Sequence, residues 1–183
     1  TAHRAGTGLA AEKPTETFTS LHHPHTQNYQ KAPSGQNSYF AGNGNPGNIN
    51  AKGSSASFNG PTGLAFFNNK LYVSERGNDQ VRQISLNGTV TSFSTKQLEM
   101  PSHLVFAPNG TLYVTDARYH VIHSIDKNGK VSVFAGGKNQ HGNVLGSVAQ
   151  ARFFFPFGIA YHKKYLYVSD RLNHCIKRIR VVK

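Results

Sequence analysis

The sequence predicts an all-β fold built from repeated, four-stranded antiparallel sheets. The main observation is the pentapeptide Leu-Tyr-Val-[Ser/Thr]-[Glu/Asp], which occurs at residues 71–75, 112–116 and 166–170 of the 183-residue chain. Six residues after each acidic residue, an aliphatic residue begins another strand-like run. Three copies of one sheet-forming unit indicate a repeat architecture. Each copy is opened by a proline followed by an apolar segment: Pro61, Pro101 and Pro156.

The second copy shows the strands of the unit most clearly. Residues 101–107 are an apolar segment, and the tripeptide Pro108-Asn109-Gly110 is a tight-turn signal. Residues 111–115 are β-branched and aromatic, and residues 121–126 follow a connecting turn. Residues 130–135 alternate apolar and polar side chains. This is an antiparallel meander of about 35 residues, the size of one β-propeller blade.

The other two copies follow the same plan, but the third is incomplete. Strands are expected at 61–67, 70–74, 81–86 and 89–93 in the first copy. In the third copy they are expected at 156–161, 165–169 and 175–182, with no fourth strand. The blades are therefore predicted at 61–95, 101–136 and, incomplete, 156–183.

An isolated outer strand is predicted before the first blade, at residues 39–42. Phe40-Ala41-Gly42 is followed by a Gly- and Asn-rich loop, a Phe and a blade-opening proline. Phe134-Ala135-Gly136 is followed by the same series before the third blade. The segment containing Tyr39, Phe40 and Ala41 is thus the fourth strand of a blade whose other strands lie elsewhere.

Three blades are too few to close a propeller ring, which needs at least about four. Either another chain completes the ring, or the chain is a fragment of a six-bladed propeller. In the first case the strand of Tyr39 closes the incomplete blade of a second copy, and the same exchange left open would propagate a filament. The residues expected at this assembly contact are Tyr39, Phe40, Ala41, Cys175, Ile176, Ile179 and Val181.

Residues 1–36 differ in composition from residues 37–183, where the blades are predicted. They contain many Thr and Pro residues, four of the ten His residues and almost no periodic apolar pattern, which is typical of a polar, extended arm. Within the arm, His22-His23-Pro24-His25 could bind a metal weakly, but a solvated polar segment is the favoured interpretation. The chain begins with Thr1 rather than Met and shows no signal segment, so we expect a processed or partial sequence.

The composition favours acidic partners. The formal net charge is +12, which would suit nucleic acid, an anionic polysaccharide or an anionic surface. A solvated strand face explains the same charges, because aliphatic residues alternate with them. The longest apolar run, residues 153–161, is too short to span a membrane. The candidate contacts to an anionic ligand are Lys163, Lys164, Arg171, Lys177, Arg178 and Arg180.

The repeats resemble NHL repeats. The shared features are Phe-Ala-Gly with its Gly-rich loop, Pro-x-Gly-[Leu/Ile]-Ala at 61–65 and 156–160, Leu-Tyr-Val-Ser-Asp, and the Asn-His-x-Ile of residues 173–176. The resemblance covers about residues 39–183 and implies a β-propeller, typically of six blades. The second copy departs from the pattern, with Pro101-Ser102-His103 in place of Pro-x-Gly.

The resemblance also raises enzymatic alternatives. Propellers similar to this family include an amidating lyase that uses copper and zinc, whose His ligands adjoin the blade-opening prolines. Here those neighbours are Thr62, Ser102 and Phe157, with His103 displaced by one position. Calcium-dependent propeller lactonases use inward acidic and Asn side chains, and this chain has only eight acidic residues. We therefore expect no cofactor and no catalytic or metal-binding residues.

The remaining candidate residues have structural or modification roles. Glu75, Asp116 and Asp170 recur at one repeat position, so they are interpreted as turn carboxylates that accept backbone N–H groups. Asn87 and Asn109 lie in Asn-Gly-Thr sequons within turns and are candidate N-glycosylation sites. Because Asn-Gly is also a favoured two-residue turn, both interpretations stay open.

The sequence as a whole favours a non-enzymatic, self-associating module that forms an extracellular structure or filament. An intracellular location stays open. The alternatives are an RNA-binding propeller with a basic face, and a lyase or hydrolase with a metal in the central channel.

Overall fold

The computed structural model describes residues 28–31, 37–94 and 97–181. The described residues form thirteen β-strands and two short 3-10 segments, at Gly53–Ser55 and Arg171–Asn173. The predicted all-β fold is confirmed. Most of the predicted arm, including His22, His23 and His25, lies outside the described residues. The same applies to Val182, where we expected the last strand to end.

The first two strands form a hairpin. Strand β1 (Asn28–Lys31) pairs antiparallel with β2 (Asn37–Ala41). The prediction located β2 but not β1, which lies within the segment interpreted as an extended arm. A strand held by the backbone ladder of its neighbour needs no apolar period, so composition gave no sign of it.

Blades I and II are the two complete four-stranded sheets, and each is a meander in chain order. Each of their eight strands begins and ends within one residue of the predicted strand. Blade I comprises β3 (Pro61–Phe67), β4 (Lys70–Glu75), β5 (Gln80–Ser85) and β6 (Val90–Ser92). Blade II comprises β7 (Pro101–Phe106), β8 (Leu112–Asp116), β9 (Val121–Ile125) and β10 (Val131–Ala135).

Blade III has three strands in the described part of the chain: β11 (Pro156–His162), β12 (Tyr165–Asp170) and β13 (Cys175–Arg180). The opening strands β3, β7 and β11 pack side by side, as the inner strands of a propeller do. The outer edge of β13 has no partner strand among the described residues.

Two apolar clusters join the blades. The first contains Tyr72 and Val81 of blade I together with Leu104, Leu112 and Val114 of blade II. The second joins Tyr113 and Ile122 of blade II to Leu166 and Val168 of blade III. The alternation of the Leu-Tyr-Val motif explains this, because Leu and Val point to one face of a strand and Tyr to the other.

A third apolar cluster joins the remaining face of blade I to the chain segment that precedes this blade. Leu71, Val73 and Ile84 of the blade pack against Ala56 and Phe58, and Phe40 adjoins them. None of the described helical segments is long and apolar enough to cross a membrane.

Candidate functional site

The three repeated acidic residues join each blade to the chain segment that enters it. Glu75 accepts the N–H of Asn59 at 2.9 Å, and Asp116 accepts that of Glu99 at 2.7 Å. Asp170 accepts the N–H of Phe154 at 2.7 Å. Each donor lies two residues before a blade-opening proline. The carboxylates therefore fix the entry of each blade.

Each of these carboxylates also meets a basic side chain seven residues later. Arg82 Nη1 lies 3.2 Å from Glu75, and His123 Nε2 lies 3.2 Å from Asp116. The third pair joins the Lys177 ammonium to Asp170 at 2.8 Å. All of these side chains are buried. This pairing was not predicted from the sequence, although a basic residue at constant spacing from each acidic residue was a visible signal.

The prediction that Lys177 contacts an anionic ligand is wrong. Its side chain is buried against Asp170, and its ammonium donates to the Arg152 carbonyl at 2.5 Å. It also lies 5.1 Å from the ring centroid of Phe153. Its side chain alternates to the opposite face of β13 from those of Ile176 and Arg178, so it neutralises the carboxylate of its own blade.

Arg82 ties the Gly- and Asn-rich loop to blade I. Its guanidinium donates to Asn50 Oδ1 at 2.6 Å, to the Ile49 carbonyl at 2.9 Å and to Asn48 Oδ1 at 3.0 Å. Gln80 Nε2 bridges Asn48 Oδ1 and Glu75 Oε2, at 2.7 and 2.8 Å. A planar guanidinium with five N–H donors suits this arrangement of acceptors.

The hydroxyl groups of the pentapeptide join consecutive blades. Ser74 Oγ accepts the N–H of Gly63 and donates to the Ser102 carbonyl of blade II. Thr115 Oγ1 likewise accepts the N–H of His103 and donates to the Phe157 carbonyl of blade III. Each carbonyl belongs to the residue after a blade-opening proline.

Close packing at this junction explains the glycine of the Pro-x-Gly motif in blade I. A Cβ atom on Gly63 would lie 2.6 Å from the Ser102 carbonyl oxygen and 2.8 Å from Ser74 Oγ. Contacts under 3.0 Å are excluded for real side chains. The glycine therefore allows blade II to approach closely enough for the hydroxyl to bridge the two blades.

A second hydrogen bond repeats at the same junctions. Asp79 Oδ1 accepts the N–H of Met100, and His120 Nδ1 accepts that of Phe155, at 2.9 and 3.2 Å. Both acceptors lie four residues after the motif acid, and both donors immediately precede a proline. Burial, followed by the neighbouring His141, lowers the pKa of His120 below its ordinary value. This favours the neutral imidazole that the acceptor role requires.

The outer edge of β13 presents unpaired backbone groups. The Val181 N–H donates to the Lys164 carbonyl, so odd-numbered residues of β13 bond to β12. The amides of Ile176, Arg178 and Arg180 therefore point to the outer edge. In blade II the equivalent residues Ile122 and Ser124 pair with the fourth strand, β10.

The structure divides the predicted assembly residues into exposed and packed groups. Tyr39 and Ile176 are exposed, and Cys175 is half-buried with a free thiol. Ala41 and Phe40 pack on blade I. Ile179 and Val181 pack against the apolar cluster that joins blades II and III. Because these packed side chains hold their strands within the chain, exchange between copies could involve only the backbone hydrogen bonds at the strand edges.

The remaining basic candidates surround blade III on its solvent side. Lys163 and Lys164 form the β11–β12 turn and are exposed, as are Arg171, Arg178 and Arg180. The Arg178 guanidinium lies 4.7 Å from the ring centroid of Tyr165. Both turn lysines adopt positive φ angles of 44° and 71°, a conformation that costs free energy for a residue with a Cβ.

The residues next to the blade-opening prolines do not assemble a metal site in the described part of the chain. Thr62 Oγ1 donates to the Ser102 carbonyl, and His103 packs edge-on against the Phe157 ring at 5.0 Å. Burial lowers the pKa of His103. No group of three or more His, Cys, Asp or Glu side chains among the described residues could hold a metal ion.

Both sequon asparagines lie in exposed turns. Asn87 Oδ1 accepts the N–H of Thr89, and Asn109 Oδ1 accepts that of Thr111, both at 3.1 Å. Each asparagine uses its oxygen to close the turn. The amide nitrogen, which is the atom that carries an N-linked glycan, does not take part in these bonds.

Sequence comparison relates the chain to NHL-repeat proteins. NHL repeat-containing protein 2 of Bos taurus is 39% identical over 109 residues, which cover 59% of this chain and 15% of that protein. The Homo sapiens protein of the same name is 37% identical over 109 residues, with the same coverage. The chain thus spans a small part of these curated relatives. No protein-family model matches it.

Solved structures with this fold are β-propellers. An auxiliary nutrient binding protein of Bacteroides ovatus has a TM-score of 0.66 at 18% identity, covering 87% of this chain and 44% of its own. Virginiamycin B lyase of Staphylococcus aureus has a TM-score of 0.56 at 14% identity, covering 87% and 50%. At these identities the likeness shows the fold alone. By its repeats and its blade architecture, the chain is similar to NHL-repeat β-propellers.

Proposed function

We propose that this chain is a non-enzymatic NHL-repeat module that acts by assembling with copies of itself through strand exchange. The donor is β2, and the acceptor is the outer edge of β13. The observation that carries the proposal is a structural match between two chain segments. The segment that leads from β2 to blade I has the same features as the segment that leads from β10 to blade III.

The two segments agree in detail. Ala41 and Ala135 are both buried, and the glycines that follow them have φ angles of 104° and 99°. Gly47 N–H donates to the Phe58 carbonyl at 2.9 Å, and Gly142 N–H donates to the Phe153 carbonyl at 3.0 Å. Strand β10 is the fourth strand of the blade before β11. Strand β2 therefore stands where the fourth strand of a blade before β3 would stand.

The edge of β13 supplies the complementary element. Its outward amides occupy the positions at which β9 pairs with β10. An exposed sheet edge readily accepts another strand. Strand β1 already pairs with one edge of β2, so exchange would use the opposite edge of β2 or displace β1.

An extracellular structural role, in a closed ring or a filament, is the form of assembly that we favour. The two sequon turns support it, because both asparagines are exposed on hairpins where a glycan would face solvent. Treatment of the protein from its native source with a peptide N-glycosidase tests this directly. Unglycosylated Asn87 and Asn109 would remove the support.

The proposal of a non-enzymatic role rests on what the repeated polar side chains do. The acids hold blade entries, and the hydroxyls of Ser74 and Thr115 join blades. The alternative is a lyase or hydrolase with a metal in the central channel. Metal analysis of the purified protein distinguishes the two, since a stoichiometric metal would favour the enzyme.

The mass of the native particle tests strand exchange. We would compare, by light scattering, the intact chain, a chain lacking residues 1–42, and the variants Arg178→Pro and Arg178→Ala. Proline removes an outward amide of the acceptor edge, whereas alanine keeps it. Assembly of the intact and Arg178→Ala chains, lost on deletion and in Arg178→Pro, would support the proposal. An assembly indifferent to both would overturn it.

Binding of an anionic polymer, either RNA or polysaccharide, is a second candidate. The exposed cations on blade III and the stacking of Arg178 on Tyr165 favour it. Affinity for RNA that depends on base sequence would support an RNA-binding role. Loss of all binding at moderate salt, without sequence preference, would indicate charge attraction alone.

A further inference from the structure

We infer that a cavity between blades I and II binds a small organic anion with an aromatic or apolar body. The cavity has a volume of about 520 Å³, which lies within the range of small-molecule sites. Both blades are complete four-stranded sheets. The β3–β4 turn of blade I meets the β7–β8 and β9–β10 turns of blade II at the cavity, whose walls include Phe67, Lys70, Tyr72, Phe106, Asn109 and Lys127. The site is separate from the exposed cations of blade III and does not depend on self-association.

Two stacked aromatic rings form the apolar wall of the cavity. Phe67 of blade I and Phe106 of blade II have ring centroids 4.4 Å apart and an angle of 13° between their planes. Tyr72 meets the Phe106 ring edge-on, with centroids 4.7 Å apart. Both phenylalanines are only half-buried, so part of each side chain is left uncovered at the cavity. An aromatic or apolar ligand body would cover this surface.

The repeat does not account for these residues. By the register of the opening strand against the leucine of the pentapeptide, Phe67 corresponds to Ala107 in blade II. Lys70 immediately precedes that leucine and corresponds to Thr111. Residues that only build the blade recur in each copy, as the motif acids do. The aromatic wall and its lysine are therefore features of this one junction.

The charged groups of the cavity favour an anion. Two lysines, Lys70 and Lys127, line it, and no acidic residue does. The Lys70 ammonium donates to Gln83 Oε1 at 3.3 Å, which uses one of its three donors. Asn109 Oδ1 accepts the N–H of Thr111, so its amide nitrogen is left as a further donor. Hydrogen bonds from such groups are strongest when the acceptor is charged.

The Tyr72 hydroxyl is a polar group without a partner in the described part of the chain. The side chain is only 7% exposed. Among the described residues, His123 Nδ1 is the one side-chain atom that is both sealed from solvent and unpaired, so the Tyr72 oxygen reaches the cavity. Burial raises the pKa of Tyr72 above its ordinary value. The phenol therefore keeps the proton that it would donate to a bound anion.

The β7–β8 turn brings the polar and aromatic parts of the site together. Gly110 has a φ angle of 84°, and a Cβ atom placed on it would lie 3.7 Å from two carbons of the Phe67 ring. The turn of blade II thus lies against the ring of blade I. Because Asn109 precedes Gly110, one ligand can contact the amide and the ring at the same time.

Isothermal titration calorimetry with 2-naphthoate tests the inference in the full chain. The protein would come from a bacterial host, because a glycan on Asn109 would stand at the cavity. We expect one naphthoate per chain, with a dissociation constant of about 1 mM or lower. The neutral counterpart 2-naphthylmethanol and the ringless anion acetate should each bind at least about tenfold more weakly. Naphthoate that does not bind, or that binds no better than either of these compounds, would overturn the inference.

Matched variants locate the binding site. Tyr72→Phe removes the hydroxyl alone and should weaken naphthoate binding by about tenfold, whereas Tyr113→Phe makes the same change at the next junction and should not. Lys127→Met should weaken binding by about fivefold. Lys130→Met removes an equal charge close to the same turn and should leave binding unchanged. Binding that survives both Tyr72→Phe and Lys127→Met, or that the two control variants weaken equally, would overturn the inference.

Discussion

The Arg82 guanidinium lies 3.2 Å from the Glu75 carboxylate, and both side chains are fully buried. The other blades pair their acid with His123 and Lys177 at the same repeat position. The repeat thus keeps the acid and varies the base. Only Arg82 also binds three successive residues of the preceding loop, from Asn48 to Asn50.

Replacing Arg82 by methionine should lower the free energy of unfolding by about 3–5 kcal/mol, the usual cost of leaving one member of a buried ion pair unpaired. The substitution also removes the Arg82 donors from Asn50 Oδ1 and Asn48 Oδ1, of which Asn48 Oδ1 keeps a bond from Gln80 Nε2. Urea denaturation followed by circular dichroism would measure the change.

The exposed ion pair between Arg118 and Glu99 is the matched control. Its charged groups are 3.5 Å apart and largely solvated, so Arg118→Met should cost no more than about 1 kcal/mol. Equal destabilisation by the two substitutions would show that burial does not govern the effect.

The sequence predicted the blades well because every strand repeats the same alternation. Leu71, Leu112 and Leu166 are all buried and are the first or second residue of their strands, and a pattern that occurs three times determines its own register. Strand β1 escaped prediction because its pairing depends on the backbone of β2 rather than on an apolar period.

The polar contacts between and within blades were less predictable, because the fold decides which polar side chains meet or become buried. The acceptor role of His120 involves the N–H of Phe155, thirty-five residues away, and only the fold brings them together. Lys177 and Arg178 are adjacent cations in sequence, yet strand alternation buries the first and exposes the second. Charge composition cannot distinguish two such residues.

The Lys163-Lys164 turn should be a source of strain that substitution relieves. Blade I forms the equivalent turn with Asn68 and Asn69, whose φ angles are 46° and 57°, and asparagine tolerates this conformation better than lysine. The double variant Lys163→Asn/Lys164→Gly should therefore raise the free energy of unfolding by about 1 kcal/mol. Thermal or urea denaturation would measure it.

The reciprocal change provides the control for this turn. Asn68→Lys/Asn69→Lys should destabilise the protein by a similar amount, since it introduces the same backbone cost in blade I. Unchanged stability in both double variants would show that the positive φ angles of these turns carry no measurable strain.

Stability should fall on acidification because of His120. Burial, then His141, lowers the pKa of its folded-state imidazole, so the unfolded chain binds the proton more readily. The contribution of this residue is complete above its unfolded pKa of about 6.5 and is lost as the pH falls towards the folded value. His120→Asn keeps an acceptor that does not titrate, and its denaturation midpoint should depend less on pH between about 7 and 5. Identical pH profiles would contradict this assignment.

Added salt should strengthen self-association and weaken the binding of RNA. Each copy carries a net charge of +12, so two copies repel each other, and salt that shortens the Debye length to about 3 Å at 1 M should strengthen self-association.

Binding of single-stranded RNA would instead weaken as the salt concentration rises. Five exposed cations, namely Lys163, Lys164, Arg171, Arg178 and Arg180, give a slope of about −3 to −4 in a plot of log affinity against log salt. Sedimentation and fluorescence anisotropy would measure these two responses. Self-association that weakens with salt would show that charge attraction, rather than backbone pairing between strands, holds the copies together.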